Sequence, residues 1–206
     1  ALTGFAAFGT KMLAMSNPAV AQLLFGTPLS YVIMFAPLAM VMWMSFRINK
    51  MSPAKARTLF YVYAALMGVS LSVILLTFTG ASVARAFFIT AGAFAGLSIY
   101  GYTTKRDLTA MGGFLIVGVF GLILASIVNL FVQSSGMEFL ISIVGVLLFA
   151  GLTAYDTQNI KNEYLAHAHH GDQEWLAKSA IFGALNLYLD FLNMFQFLLM
   201  FMGNNE

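Results

Sequence analysis

The chain has 206 residues, of which 60% are hydrophobic and only 9% charged, with a net charge of +2 and no cysteine. Apolar residues make up roughly half of an ordinary soluble domain, so this composition excludes that class. The absence of cysteine excludes disulfides, zinc–thiolate sites and thiol catalysis. The basic residues form no long run, so they mark membrane topology and not a nucleic-acid surface.

The apolar runs are continuous and do not alternate, which predicts membrane-spanning helices in place of a barrel. Ala1 to Met15 is short for a span and contains Lys11. It reads as the tail of a first helix, since it lacks the basic start and cleavage site of a signal peptide. After the polar turn Ser16-Asn17-Pro18, a second span runs roughly from Pro28 to Phe46. Arg47 to Arg57 is the most basic connection. A third span covers about Thr58 to Phe78, with a turn at Gly80 and Ser82. A fourth runs from about Ala84 to Tyr102, and the loop Thr103-Thr104-Lys105-Arg106-Asp107 follows. A fifth covers about Leu108 to Val132 and breaks at Gln133-Ser134-Ser135-Gly136. A sixth runs from about Phe139 to Ile160. Lys161 to Ala177 reads as the longest loop, and the seventh span as Lys178 to Met202. The expectation is one all-α membrane domain over residues 1–206, a seven-transmembrane-helix bundle. Gly92-Ala93-Phe94-Ala95-Gly96 reads as a small-residue face for close helix packing.

Basic residues divide unevenly between the two ends of these spans. Arg47, Lys50, Lys55, Arg57, Lys105, Arg106, Lys161 and Lys178 fall on one side, and only Lys11 and Arg85 on the other. The positive-inside rule then puts the amino end in the cytoplasm and the carboxyl end outside.

Asp156 and Asp190 lie inside stretches that otherwise read as membrane, where an ionised carboxylate costs roughly 2.5–3.5 kcal/mol. Asp156 falls within about a turn of the cytoplasmic end of the sixth span. Asp190 falls about twelve residues into the seventh, roughly 18 Å along the axis. Asn186, Asp190 and Asn193 share one helical face, a polar stripe that lines protein or a watery path. Antiparallel sixth and seventh spans allow the two carboxyls to meet. At a separation of roughly 4 Å and an effective dielectric of 20, their repulsion is about 4 kcal/mol, which favours one shared proton. Protonated, the pair is a hydrogen-bonded latch. Fully ionised, it repels itself and offers the hard oxygen ligands that Ca²⁺ prefers. Arg47, ending the second span, is either a topology-setting charge or a counter-ion of the latch. His167, His169 and His170 match no standard zinc spacing and read as a solvated loop.

Three segments carry a family resemblance: Ser98-Ile99-Tyr100-Gly101-Tyr102-Thr103-Thr104-Lys105-Arg106-Asp107-Leu108, Gly151-Leu152-Thr153-Ala154-Tyr155-Asp156-Thr157-Gln158, and Gly183-Ala184-Leu185-Asn186-Leu187-Tyr188-Leu189-Asp190-Phe191. Through them the chain resembles the Bax inhibitor motif family, its bacterial members in particular, from Pro28 onward. The resemblance implies a central seventh helix surrounded by six others and residence in the bacterial inner membrane. It also implies a pH-sensing pair at Asp156 and Asp190 with a pH-dependent calcium leak. Arg47 is the nearest match to a basic residue linked to opening. Calcium would be the transported ion, with no resident cofactor. The chain departs from the family at Phe35-Ala36-Pro37-Leu38, where some members carry an acidic residue in the second span. That departure points to a weaker leak or to another ion.

Two other readings stay open. Paired intramembrane aspartates are similar to those of presenilin-like proteases, in which an Asp pair does acid–base chemistry. Those enzymes have Gly-x-Gly-Asp where this chain has Leu187-Tyr188-Leu189-Asp190, and a Pro-Ala-Leu element that Ala36-Pro37-Leu38 does not match. The other reading is a regulator of a membrane protease or stress response, acting by protein contact.

Overall fold

The computed structural model describes residues 1–47, 50–167 and 173–203. Among these residues the chain forms eight α-helices: α1 (Leu2–Ser16), α2 (Pro18–Phe25), α3 (Leu29–Arg47), α4 (Pro53–Thr77), α5 (Gly80–Thr103), α6 (Thr109–Val132), α7 (Ser135–His167) and α8 (Gln173–Met202). Six of them, α3 to α8, are long and apolar enough to cross a membrane. α1, the expected tail of a first span, is a helix of 15 residues. The described residues fall into two compact units, Ala1–Gly80 and residues 81–203.

In the first unit the helix starts follow from local chemistry. Asn17 Oδ1 accepts from the Ala19 amide at 3.0 Å, and Pro18 takes the first helical position, where no N–H is needed. Ser52 and Pro53 repeat the device at α4. α4 therefore begins at Pro53, not near Thr58, and its first two turns carry Lys55 and Arg57 beyond the apolar run. α1 lies parallel to α4, with Thr3 against Gly68 and Lys11 donating to the Leu75 carbonyl at 2.6 Å.

In the second unit α7 packs against α5, α6 and α8. Leu115 and Leu122 of α6, Ile141, Leu148, Phe149 and Leu152 of α7 and Met194 of α8 form a buried apolar core. Gly101 of α5 sits directly on the backbone of Ala154, where a Cβ has no room. Gly92 and Gly96 do not make the close approach expected of them, since a Cβ at either meets nothing within 4 Å.

Several boundaries differ from those expected. The turn between α4 and α5 is Phe78-Thr79, and Gly80 and Ser82 are already helical. The break after α6 shrinks to Gln133-Ser134, because Gln133 adopts the left-handed conformation (φ 52°) and reverses the chain in one step. The largest difference lies in the segment after Ile160, expected to be a loop. α7 continues to His167 and α8 starts at Gln173, so most of that segment is helical. Lys161, Glu163, Leu165 and Ala166 are good helix formers. Hydropathy falls at Lys161, but the helix has no reason to stop there. His169 and His170 lie outside the described residues. His167 closes α7, with Nδ1 3.0 Å from the Glu163 carbonyl and its ring stacked on Trp175.

Candidate functional site

α7 and α8 form an antiparallel hairpin whose register is fixed along its length. From the connection inwards, His167 meets Trp175, Glu163 meets Ser179 and Ile160 meets Gly183. Beyond these, Phe149 stacks on Phe197 and Phe139 meets Phe201. Gly183 matters to this register, because a Cβ there would overlap the Ile160 side chain and push the helices apart. The same register carries Asp156 to Asp190.

Asp156 and Asp190 stand close enough for each carboxyl to act on the other. Asp190 is 4% exposed, and its Oδ2 has no hydrogen-bond partner among the described residues. Asp156 is half-buried. An isolated buried carboxylate is costly, and the second carboxyl is the group placed to share a proton with it. The hydroxyls nearby do not fill that role. Thr153 donates to the Phe149 carbonyl at 2.7 Å and Thr157 to the Thr153 carbonyl at 2.7 Å, both within their own helix. On the α8 side, Phe191 presents its ring edge-on to Phe87 and Phe94 of α5.

Asp156 does not lie within a turn of its helix end. Eleven residues, about three turns, separate it from His167. Asp190 is mid-helix, 17 residues after Gln173 and 12 before Met202. Asn186 is half-buried one turn before Asp190. The Asn193 amide donates to the Leu189 carbonyl of its own helix at 2.8 Å, so that donor closes locally. Arg47 is exposed at the end of α3 and forms no ion pair among the described residues.

Three residues outside the expected site tie this region together. Gln158 is buried two positions after Asp156 and bridges to the α5–α6 connection. Its Nε2 donates to the Arg106 carbonyl at 2.7 Å, and its Oε1 accepts the Leu108 amide at 2.8 Å. Glu163 accepts from the Ser179 hydroxyl at 2.7 Å across the hairpin, and its charge acts on Asp156. The signal for Glu163 is its spacing of seven from Asp156, which puts both on one face of a helix. In the same connection the Thr109 side chain and amide hold the Asp107 carboxyl below the usual carboxylate range, the amide donating to Oδ1 at 2.9 Å.

Among the described residues no three His, Cys, Asp or Glu side chains converge as a metal cage. Ca²⁺ takes six to eight oxygens.

The family model described as "Inhibitor of apoptosis-promoting Bax1" matches residues 1–206. The inner membrane protein YbhL of Escherichia coli K12 is 42% identical over 206 residues, covering all of this chain and 86% of that protein. An uncharacterized protein of Caulobacter vibrioides is 46% identical and one of Rickettsia prowazekii 45%, each covering all of this chain and 83% and 84% of their own lengths.

Proposed function

The chain belongs to the Bax inhibitor motif family, and from that premise we propose that it is a pH-sensitive calcium leak of the bacterial inner membrane, gated by the Asp156/Asp190 pair. The observation that supports this reading is an aspartate, Asp190, almost fully removed from solvent on α8 with Asp156 near it on the helix packed against α8. Sharing a proton, the carboxyls bind each other and hold α7 against α8. With both ionised, like charges in a low dielectric repel, the hairpin loosens and two hard oxygen ligands become free for a passing cation. Flux is therefore low in acid and rises as the pair ionises. Calcium is the cargo in this scheme, and no cofactor enters it. The polar face of Asn186 and Asn193 borders the route, and Arg47 serves as a gating partner on the cytoplasmic side. The amino end faces the cytoplasm, the carboxyl end lies outside, and α8 stands at the centre of a seven-span bundle.

The test is calcium flux into proteoliposomes over a pH series, beside Asp156→Asn and Asp190→Asn. Each substitution removes the shared titration, so each flattens the pH response. Unchanged flux and pH dependence in both variants would sink the latch. No flux above empty liposomes at any pH would turn the reading to a regulator of a membrane protease or stress response. Peptide cleavage lost in Asp190→Asn would turn it to an aspartyl protease.

A further inference from the structure

A second feature of the hairpin is an open groove between its two helices. A cavity of about 350 Å³ runs along the α7/α8 seam. Its walls are apolar, built from Ile160 on α7 and Leu176, Ala180 and Leu187 on α8. Exposed Tyr102 and Tyr164 border it, so it is an open groove and not an enclosed void. From Leu176 to Leu187 it follows α8 for eleven residues, about 16 Å at 1.5 Å per residue. Half of a hydrocarbon core of about 30 Å is about 15 Å. The lining suits one acyl chain, and from the level of Lys161, between the Glu163–Ser179 and Ile160–Gly183 contacts, the groove runs to Leu187 for about half of that length.

Lys161 also lines the groove, towards the end of α7. Its ammonium donates to the Tyr102 carbonyl at 2.8 Å and lies 5.0 Å from the centre of the Tyr102 ring. A lysine has three donors, so two remain to be used. Among the described residues no carboxylate pairs with it, whereas its neighbour Lys178 is bound to Glu174 at 2.7 Å. Glu163, the closest acid in sequence, is engaged by Ser179. Lys105 and Arg106 stand in the loop that Gln158 fastens to this end, opposed there by Asp107. An ammonium held in place beside an apolar slot is complementary to a headgroup phosphate with the upper part of an acyl chain below it.

We propose that the groove between α7 and α8 is a binding site for an anionic phospholipid, with its phosphate on Lys161 and one acyl chain along Ile160, Ala180 and Leu187. The site stands independently of any calcium leak. Its deep end, at Thr157 and Leu187, lies next to the residues that carry Asp156 and Asp190, so an occupied groove would also brace the hairpin.

The chain has two tryptophans, and Trp175 adjoins Leu176 of the groove. In a Trp43→Phe background Trp175 is a single reporter. The full protein is reconstituted with brominated phosphatidylglycerol or brominated phosphatidylcholine, and quenching of Trp175 is followed against mole fraction. Half-quenching comes at a mole fraction about fivefold lower for the anionic lipid, the effect of one basic residue at a membrane surface. Lys161→Gln abolishes that preference and Lys161→Arg keeps it. Ala180→Phe fills the slot and weakens quenching by both lipids. Equal quenching by the two lipids in the parent overturns the proposal, as does a preference that survives Lys161→Gln. Circular dichroism of each variant separates loss of the site from loss of the fold.

Discussion

In the first unit the hydroxyls of Thr10, Ser45, Thr58 and Thr77 all return to the carbonyl four residues back in their own helix. In the second unit the hydroxyls of Thr90, Thr103, Ser126, Ser142, Thr153 and Thr157 do the same, but Gln158, Lys161 and Ser179 also reach across to another element. Burial differs between single helices and not simply between the units, since α6 is as little buried as α3. Only 11% of the apolar window of α3 is buried, against 44% of that of α7. A helix that faces lipid must satisfy its polar groups by itself, because the bilayer offers no partner. A helix enclosed by protein can take its partners from neighbours, and only there is a carboxyl such as Asp190 tolerable. Lys11 is the exception in the first unit. It spends its charge on the last turn of α4, where a cation suits the helix dipole.

The strongest way to break this contrast is to separate α5 from α7. Gly101→Leu must push the Ala154 backbone aside, and backbone has no rotamer with which to yield. The expected cost is about 3 kcal/mol, with loss of folded protein in detergent as the alternative form of the same result. Gly92→Leu, on the open side of the same helix, leaves the thermal midpoint within a few degrees of the parent. Gln158→Leu comes next. It strands the Leu108 amide and the Arg106 carbonyl and costs about 2 kcal/mol. Hydrogen exchange should quicken at the Leu108 amide in particular, and Gln158→Glu, which keeps the acceptor, should restore protection there. The smallest effect is expected of Lys11→Met, about 1 kcal/mol by thermal unfolding, since the Leu75 carbonyl loses one donor but the apolar stem is kept. If Lys11→Met proved costlier than Gln158→Leu, the two units would not differ as described.

The spans were legible because continuous apolar runs of bilayer length rarely arise outside a membrane. The antiparallel packing of α7 and α8 was legible because two helices joined by a short connection are neighbours. The ends of α4, α7 and α8 were not, because hydropathy reports where lipid stops and not where the helix stops. Lys55, Lys161 and Glu163 sit in helix beyond the apolar window. Gln158 was illegible for a different reason. Its partners are backbone atoms some fifty residues away, and no side-chain pattern records them. The bond from the Asn193 amide to the Leu189 carbonyl was equally illegible, because a polar face does not record which of its donors close on their own helix.

The continuation of α7 beyond Asp156 has a mechanical consequence. Eleven residues form a rigid arm of about 16 Å projecting from the carboxyl contact toward His167. If the helix tilts about that contact by about 10°, the tip travels about 3 Å. A change of proton occupancy in the membrane interior would thus be magnified into a displacement large enough for a spin-label distance to register. The arm is clamped to the Tyr102 carbonyl by Lys161 and to the Arg106 carbonyl by Gln158, so its travel would be passed on to the α5–α6 connection. Any protein that touches that connection would feel the protonation state of two carboxyls it never meets.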